Sequence, residues 1–531
     1  MIKPERNGDG QAPIGGYAVL GDGRGTALVA LDGVIDWWAI PAIDSTPPFA
    51  ALIDPEGGGS IRLSPSASIE GVERRYLPDT NVLETTMTTA TGTVRITDAL
   101  NTGIAGRLPW TELGRRVEGV SGTVEMELDV SAGTGLGVWS PWVDDTSRGL
   151  VVHTGPVILG VLASDGIDLG TDGKSVTARF TVEQGERRTV GVVGSYDEPL
   201  FLTDVSSVDS RLDRTVQGWQ AWSGQVGWEG TDRGAVLRSA LALKLLIASH
   251  TGAIAAAATT SLPERIGGDK NWDYRFAWVR DASFTIDALQ VCGLQEEVHA
   301  AASWLLGAIQ SNGPHIHIMY TLEGGRAGSA SPAPVPGYRG STPVLIGNGA
   351  ASQTQLGVYG DLFGTIDSWV RAGHVLDTGT RRLLADLADE CADAWRGADA
   401  GIWELGTSEQ YTSSKINCWR AMDLAASLAE NGHLPGSGVR WRQEAQIIRD
   451  WVQENCWSEK LRSYTCYAGG DTLDVSVALG ARFGFDTGER MSATIDALRE
   501  HLGAGPLVYR YTGMADEESA FIACSYWLVE A

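Results

Sequence analysis

Near residue 205 the periodicity of this chain changes, and that change limits what it can fold into. Before it, apolar residues come in short runs such as Tyr17-Ala18-Val19-Leu20, residues 26–31 and Val34-Ile35-Asp36-Trp37-Trp38, separated by Gly-Asp-Gly and Asp-Gly turns. Further runs at 81–88, 92–97, 123–130, 151–161 and 176–182 predict an antiparallel β-sandwich over residues 1–205. Gly21-Asp22-Gly23-Arg24-Gly25 lies between two of these strands and opens no helix, so it reads as a hairpin turn and not a phosphate loop. Beyond the change the spacing is helical, with a linker helix (residues 209–223) in a helical linker over 206–230. Helices then follow near 234–249, 281–292, 296–311, 352–372, 380–396, 417–431, 437–456, 471–483, 489–502 and 517–531. Helices alternating with short and long loops predict an (α/α)6-type toroid over residues 231–531. Such a toroid has twelve helices and ten are read here; the strongly apolar final segment, 519–529, adds to the expectation of a barrel incomplete at its C-terminal end.

A length of 531 residues with 43% hydrophobic content accommodates two or three domains with full cores. No apolar run reaches the roughly 18 residues of a membrane span, and Met1-Ile2-Lys3-Pro4 opens no signal-peptide core. The six cysteines are scattered without CxxC pairs and read as reduced core residues, so the expected location is the cytoplasm. A net charge of −25 argues against nucleic acid and anionic membranes as partners, and is compatible with a neutral oligosaccharide. The 19 tryptophans, several of them in polar loops, favour carbohydrate platforms over plain core filling. His315-x-His317 has no carboxylates beside it in sequence and reads as packing, so no metal is expected. A homo-oligomer remains open.

The densest chemistry lies in Asn271-Trp272-Asp273-Tyr274-Arg275-Phe276-Ala277-Trp278-Val279-Arg280-Asp281. Aromatic rings can stack on sugar C–H faces, while arginine and aspartate hydrogen-bond vicinal hydroxyls in bidentate fashion. The alternative is a buried arginine–aspartate pair steadying a helix N-terminus. A second block, Gly401-Ile402-Trp403-Glu404-Leu405, sets a glutamate beside an aromatic in an inter-helix loop, which suits a general acid; a solvated loop carboxylate is the plainer reading. A third, Val508-Tyr509-Arg510-Tyr511, precedes Glu517-Glu518.

With Pro263-Glu264-Arg265-Ile266-Gly267-Gly268 before it, the first block resembles the signature of glycoside hydrolase family 15, the glucoamylase, glucodextranase and bacterial trehalase family. The run from Ile14-Gly15-Gly16-Tyr17 to Asp32-Gly33-Val34-Ile35-Asp36-Trp37 is similar to the opening of its bacterial members, and Thr259-Thr260-Ser261-Leu262 leads into the signature in the family's order. The resemblance implies that Trp278, Arg280 and Asp281 bind the non-reducing glucose, with Tyr274 lining the same subsite. It also implies that Glu404 is the general acid and that Trp403 and Arg510 contact substrate; Lys415, which follows the Glu404 block, reads equally as a pocket-lining residue or a surface lysine. Leu405 stands where some fungal members carry a second glutamate, and Leu345 where many bacterial members carry an arginine.

Inverting glycosidases pair the acid with a base. In the family that base lies in a C-terminal segment with no counterpart here, leaving Glu517 and Glu518 as substitutes by position alone. The reading is therefore an exo-acting inverting α-glucosidase of glucoamylase type, acting on α-linked gluco-oligosaccharides without a cofactor. The alternatives are an α,α-trehalase acting on trehalose, and a non-hydrolytic or repurposed barrel lacking the base.

Overall fold

A computed structural model of the chain describes residues 2–104, 106–313 and 315–531. Its packing separates two compact units: Met1–Phe276 with Ala288–Glu297 and Ala330–Ile346, and Ala277–Asp287 with Val298–Ser329 and Gly347–Ala531.

In the first unit, fourteen strands among the described residues form an antiparallel network around one long strand, Thr111–Ala132. The first half of that strand pairs with Gly92–Leu100 and Arg187–Tyr196, and its second half with Gly59–Pro65 and Val176–Glu183. One strand thus belongs to both layers of the sandwich. It changes layer near Gly122, whose φ of +64° suits glycine, and where an added Cβ would lie 2.2 Å from the Thr91 carbonyl oxygen. Leu113, Val117, Val124, Met126, Leu128 and Val130 from this strand pack with Ile61, Leu63, Val94, Ile96, Val190 and Val192 in the shared core.

The two halves differ in a way that explains the sequence reading. Residues 124–132 alternate buried and more exposed, the pattern of a strand with one wet face, and this half was anticipated. Residues 111–117 are buried on both faces although three of them are charged. Arg115 points into the core, donating to Asp98 at 2.7 and 3.1 Å and to the Gly33 carbonyl at 2.7 Å. Glu112 and Arg116 point the other way, onto helix α1 (Val205–Ser223), where they meet Arg211, Asp209 and Asp213. Helix α1 starts at Val205, behind an Asp204 cap on the Ser206 amide at 2.7 Å, and its Val208 packs on the sheet at Gly191. Helix α2 (Arg233–Leu245) follows in the same unit.

The helices that follow are α3 (Val279–Val291), α4 (Gln295–Asn312), α5 (Gly357–Arg371), α6 (Thr378–Ala394), α7 (Thr412–Glu430), α8 (Gly438–Asn455), α9 (Leu479–Arg482), α10 (Glu489–Leu502) and α11 (Ile522–Glu530). Most of their length lies in the second unit, where α7 is the most enclosed helix, packed against α5, α6 and α8. Two sequence expectations are corrected. The helix expected from 417 begins at Thr412, because the polar triplet Thr412-Ser413-Ser414 forms a buried first turn and not a loop. The helix expected over 471–483 is a 3-10 turn, Val475–Ala478, capped by Asp474 and followed by the single turn of α9; Gly469 and Gly484 take left-handed conformations on either side. No helix among the described residues is long and apolar enough to cross a membrane. All six cysteines are free and buried.

Candidate active site

The aromatic and charged stretch around residues 271–281 divides into two parts. In the first unit Arg275 grips Asp273 through two bonds of 2.9 Å, donates to the Ser45 carbonyl at 2.8 Å, and is closed off from solvent together with Asp273. That is the buried pair of the plainer reading. In the second unit the two-residue strand Ala277–Trp278 pairs with Met319–Tyr320, and α3 begins at Val279. Arg280 and Asp281 therefore stand in the first helical turn, where the exposed amides favour an acidic side chain.

These residues meet the loop of the second block. The Trp278 indole Nε1 donates to Glu404 Oε1 at 2.8 Å. Arg280 donates from Nη1 to the Ile402 carbonyl at 2.8 Å; its Nη2 lies 3.5 Å from Glu404 Oε1 and its Nε 3.5 Å from Asp281 Oδ2. Gln353 Nε2 donates to the Glu404 carbonyl at 3.1 Å, and Trp403 Nε1 donates to Asp474 Oδ1 at 3.0 Å. Residues 402, 403 and 404 are thus each tethered to a different element. The tethers hold Glu404 at φ +60°, a left-handed conformation that costs a non-glycine residue on the order of 1–3 kcal/mol and persists only where the surroundings over-determine it. Gly401 opens the loop at φ +68° with the Tyr411 ring against its Cα, leaving no room for a side chain.

Glu404, Arg280 and Asp281 remain partly open to solvent, at 16%, 21% and 39% side-chain exposure, as a ligand site requires. Asp281 Oδ2 accepts no hydrogen bond. Both contacts to Glu404 fall on Oε1, so its second oxygen is the one that can present a proton. Arg510 lies over the Trp403 ring at 5.3 Å and is paired through two bonds to Glu518, which is almost fully buried. Glu518 is therefore committed to an arginine and not placed to activate water. Trp403 also packs on Tyr511, Phe521 and Trp527, and Trp527 stacks on Phe284 of α3.

Lys415 is not brought to this group. It is buried in the first turn of α7 and donates to the Trp395 and Gly397 carbonyls at 2.6 and 2.5 Å, closing the C-terminal end of α6; burial pulls its ammonium below the usual lysine range. Tyr274 belongs to the first unit and is half-buried, its carbonyl accepting from the Ala257 amide at 2.9 Å. His315 pairs with Glu390, and no metal-holding group of three or more His, Cys, Asp or Glu occurs among the described residues.

Sequence reasoning missed Gln353, Asp361 and Asp474. Burial pushes the Asp361 carboxyl on α5 up to about 6, against the pull of Arg420 and Arg280. Its signal was present: an acid inside the apolar run Val358-Tyr359-Gly360-Asp361-Leu362-Phe363. Burial also raises Asp474, opposed by its bonds from Trp403 and Ser476. Neither Asp474 nor Gln353 carries a local sequence signal.

The profile of glycosyl hydrolases family 15 matches residues 230–531, and that of the trehalase-like N-terminal domain matches residues 6–195. The trehalase of Mycolicibacterium smegmatis is 31% identical over 568 residues, covering 98% of this chain and 82% of that protein. The trehalase of Thermoplasma volcanium is 28% identical over 532 residues, covering 98% and 85%. Among solved structures, a bacterial glucoamylase complexed with acarbose matches with a TM-score of 0.67 over 93% of this chain and 80% of that one, at 13% identity. The likeness is one of fold, a β-sheet domain followed by an (α/α)6-type helical domain, and it agrees with the architecture expected from the sequence.

Proposed function

The chain belongs to glycoside hydrolase family 15, and from that premise we propose that it cleaves α,α-trehalose with Glu404 as the acid. The observation carrying the assignment is the convergence of Trp278 and Arg280 on Glu404, in a chain whose relatives at about 30% identity are named trehalases. This moves the preference from the glucoamylase-type activity expected from sequence to the trehalase alternative; both fit the family.

In this reading Arg280 and Asp281 hold the hydroxyls of one glucose and the partly exposed Trp403 ring offers a face for its C–H bonds, while Trp278, whose ring is buried at 2% exposure, acts by holding Glu404 and not as a stacking platform. Arg510 supports the far side, and Lys415 is left out of the sugar-binding set. Glu404 gives its proton to the glycosidic oxygen as the bond to the anomeric carbon breaks, and water adds from the opposite face, passing its proton to solvent, from which Glu404 is reprotonated. Trehalose joins two anomeric carbons, so inversion at one of them releases one β-glucose and one α-glucose. The site belongs to the portion proposed as catalytic, residues 231–531, beyond the sandwich of 1–205 and the helical segment 206–230.

Proton NMR of the purified chain with trehalose, maltose and isomaltose tests this. The expected result is fastest release from trehalose, with the α- and β-anomers appearing in equal initial amounts. Faster release from maltose would restore the glucoamylase-type reading. Sugar binding by a folded sample without glucose release would favour the non-hydrolytic one.

A further inference from the structure

The loop carrying Glu404 is held in an unfavourable backbone conformation, and the tether on its middle residue comes from a carboxylate with no part in the proposed chemistry. Asp474 is 1% exposed and accepts three bonds on one oxygen: from Trp403 Nε1 at 3.0 Å, the Ser476 amide at 2.8 Å and the Ser476 hydroxyl at 2.7 Å. Its other oxygen lies 3.9 Å from the Cys466 sulfur. The segment bearing it is itself pinned: Val475 donates to the Arg510 carbonyl at 3.0 Å, Thr512 to the Leu473 carbonyl at 3.0 Å, and the Leu473 amide to the Thr512 hydroxyl at 2.9 Å. A capping role alone would be met by the Ser476 amide bond, and an asparagine caps a helix as well without burying a charge. The non-local bond is the one to Trp403, 71 residues away, and a cap does not require it.

We propose that Asp474 is a positioning residue which, acting through Trp403, orients the Glu404 carboxyl towards the glycosidic oxygen. The proposal rests on the reading of Glu404 as the acid. Trp403 is peptide-bonded to Glu404, so release of its indole frees the loop to rotate about residue 403 while Trp278 still offers its N–H. A misplacement of about 1 Å at the acid is enough to cost about 10²-fold in rate.

The test uses two substrates that differ in their need for a proton. The glucose expelled from trehalose leaves as an alkoxide unless its oxygen is protonated, whereas fluoride departs from α-glucosyl fluoride with little assistance. Asp474→Ala is expected to lower kcat on trehalose about 10²-fold, KM staying within about threefold, and kcat on α-glucosyl fluoride less than about threefold. Asp474→Asn, whose amide oxygen still accepts from the indole, should recover most of the loss. Trp403→Phe, which also alters a ring placed against the sugar, should reproduce the fall in kcat of Asp474→Ala, and the double variant should lower kcat no further than either single one. Glu404→Gln run alongside separates the two claims. If it fails to discriminate between the substrates, the acid assignment falls; if it discriminates while Asp474→Ala slows both equally, only the positioning role falls.

A readout independent of turnover is the Trp278 indole resonance in nitrogen-labelled protein, identified through Trp278→Phe and followed against pH, since that N–H is bonded to Glu404. Its titration should be displaced in Asp474→Ala and restored in Asp474→Asn. An unaltered titration in Asp474→Ala, or in Trp403→Phe should the alanine variant not fold, overturns the proposal.

Discussion

Arg275 meets Asp273 through two bonds of 2.9 Å with both side chains shut away from water, whereas Arg280 stands 3.5 Å from Asp281 and 3.5 Å from Glu404 with all three partly exposed. The two pairs come from the same short stretch of sequence and use the same residue types. The first is complete in itself and stabilises the fold. The second is long and partly wet, and a loosely paired site of this kind has capacity left for the hydroxyls of a sugar. The Arg115–Asp98 pair inside the sandwich is of the first kind. Residue type alone therefore does not distinguish architecture from binding; saturation of the contacts does.

Four substitutions set the two kinds apart. Glu404→Gln, on the binding side, should reduce kcat on trehalose by about 10²–10⁴-fold with the unfolding midpoint unchanged. Arg275→Ala, on the architectural side, leaves Asp273 buried without its cation and should cost about 3–5 kcal/mol by urea denaturation. If Arg275→Ala folds normally and loses only sugar affinity, the division is wrong.

Asp361 tests the boundary between the two kinds, because it is buried yet shares Arg280 with the site. Its carboxyl sits at about 6 in the fold against an ordinary 3.8, so the folded chain holds that proton more tightly than the unfolded chain. The resulting stabilisation is complete below the unfolded value and is lost as pH rises through about 6; at roughly 1.36 kcal/mol per pH unit it amounts to about 3 kcal/mol. Asp361→Asn should flatten the dependence of the urea midpoint on pH between about 4 and 7. The smallest effect is expected for Lys415→Met, which should cost about 1–3 kcal/mol through the two carbonyls left unpaired, while KM for trehalose stays within about twofold.

How much was legible follows the same distinction. The strand half at 124–132 announced itself by alternation, while 111–117 did not, because its charges are neutralised by Asp98, Arg211, Asp209 and Asp213 from elsewhere in the chain. The buried first turn at Thr412 looked like a loop for a related reason: its hydroxyl-bearing residues are enclosed by neighbouring helices. Glu404 and Arg280 stand out by their place in blocks that resemble the family's, since residue type and setting alone fit a solvated loop carboxylate and half of a buried pair as well. Asp474 and Gln353 could not, since their partners lie 71 and 51 residues away and only the fold brings them together. Lys415 was placed by sequence with the sugar ligands because a lysine near a catalytic loop suits either role; its burial against α6 is a tertiary fact.

The most direct measurement of the central claim is calorimetric titration of trehalose into Arg280→Lys beside the parent chain, with the urea midpoint of each recorded. Lysine keeps the charge but lacks the planar fork, so affinity should fall by about tenfold or more at an unchanged midpoint. Parent-like affinity, or a fall in affinity accompanied by the destabilisation expected of Arg275→Ala, would contradict the account and make Arg280 a second structural arginine.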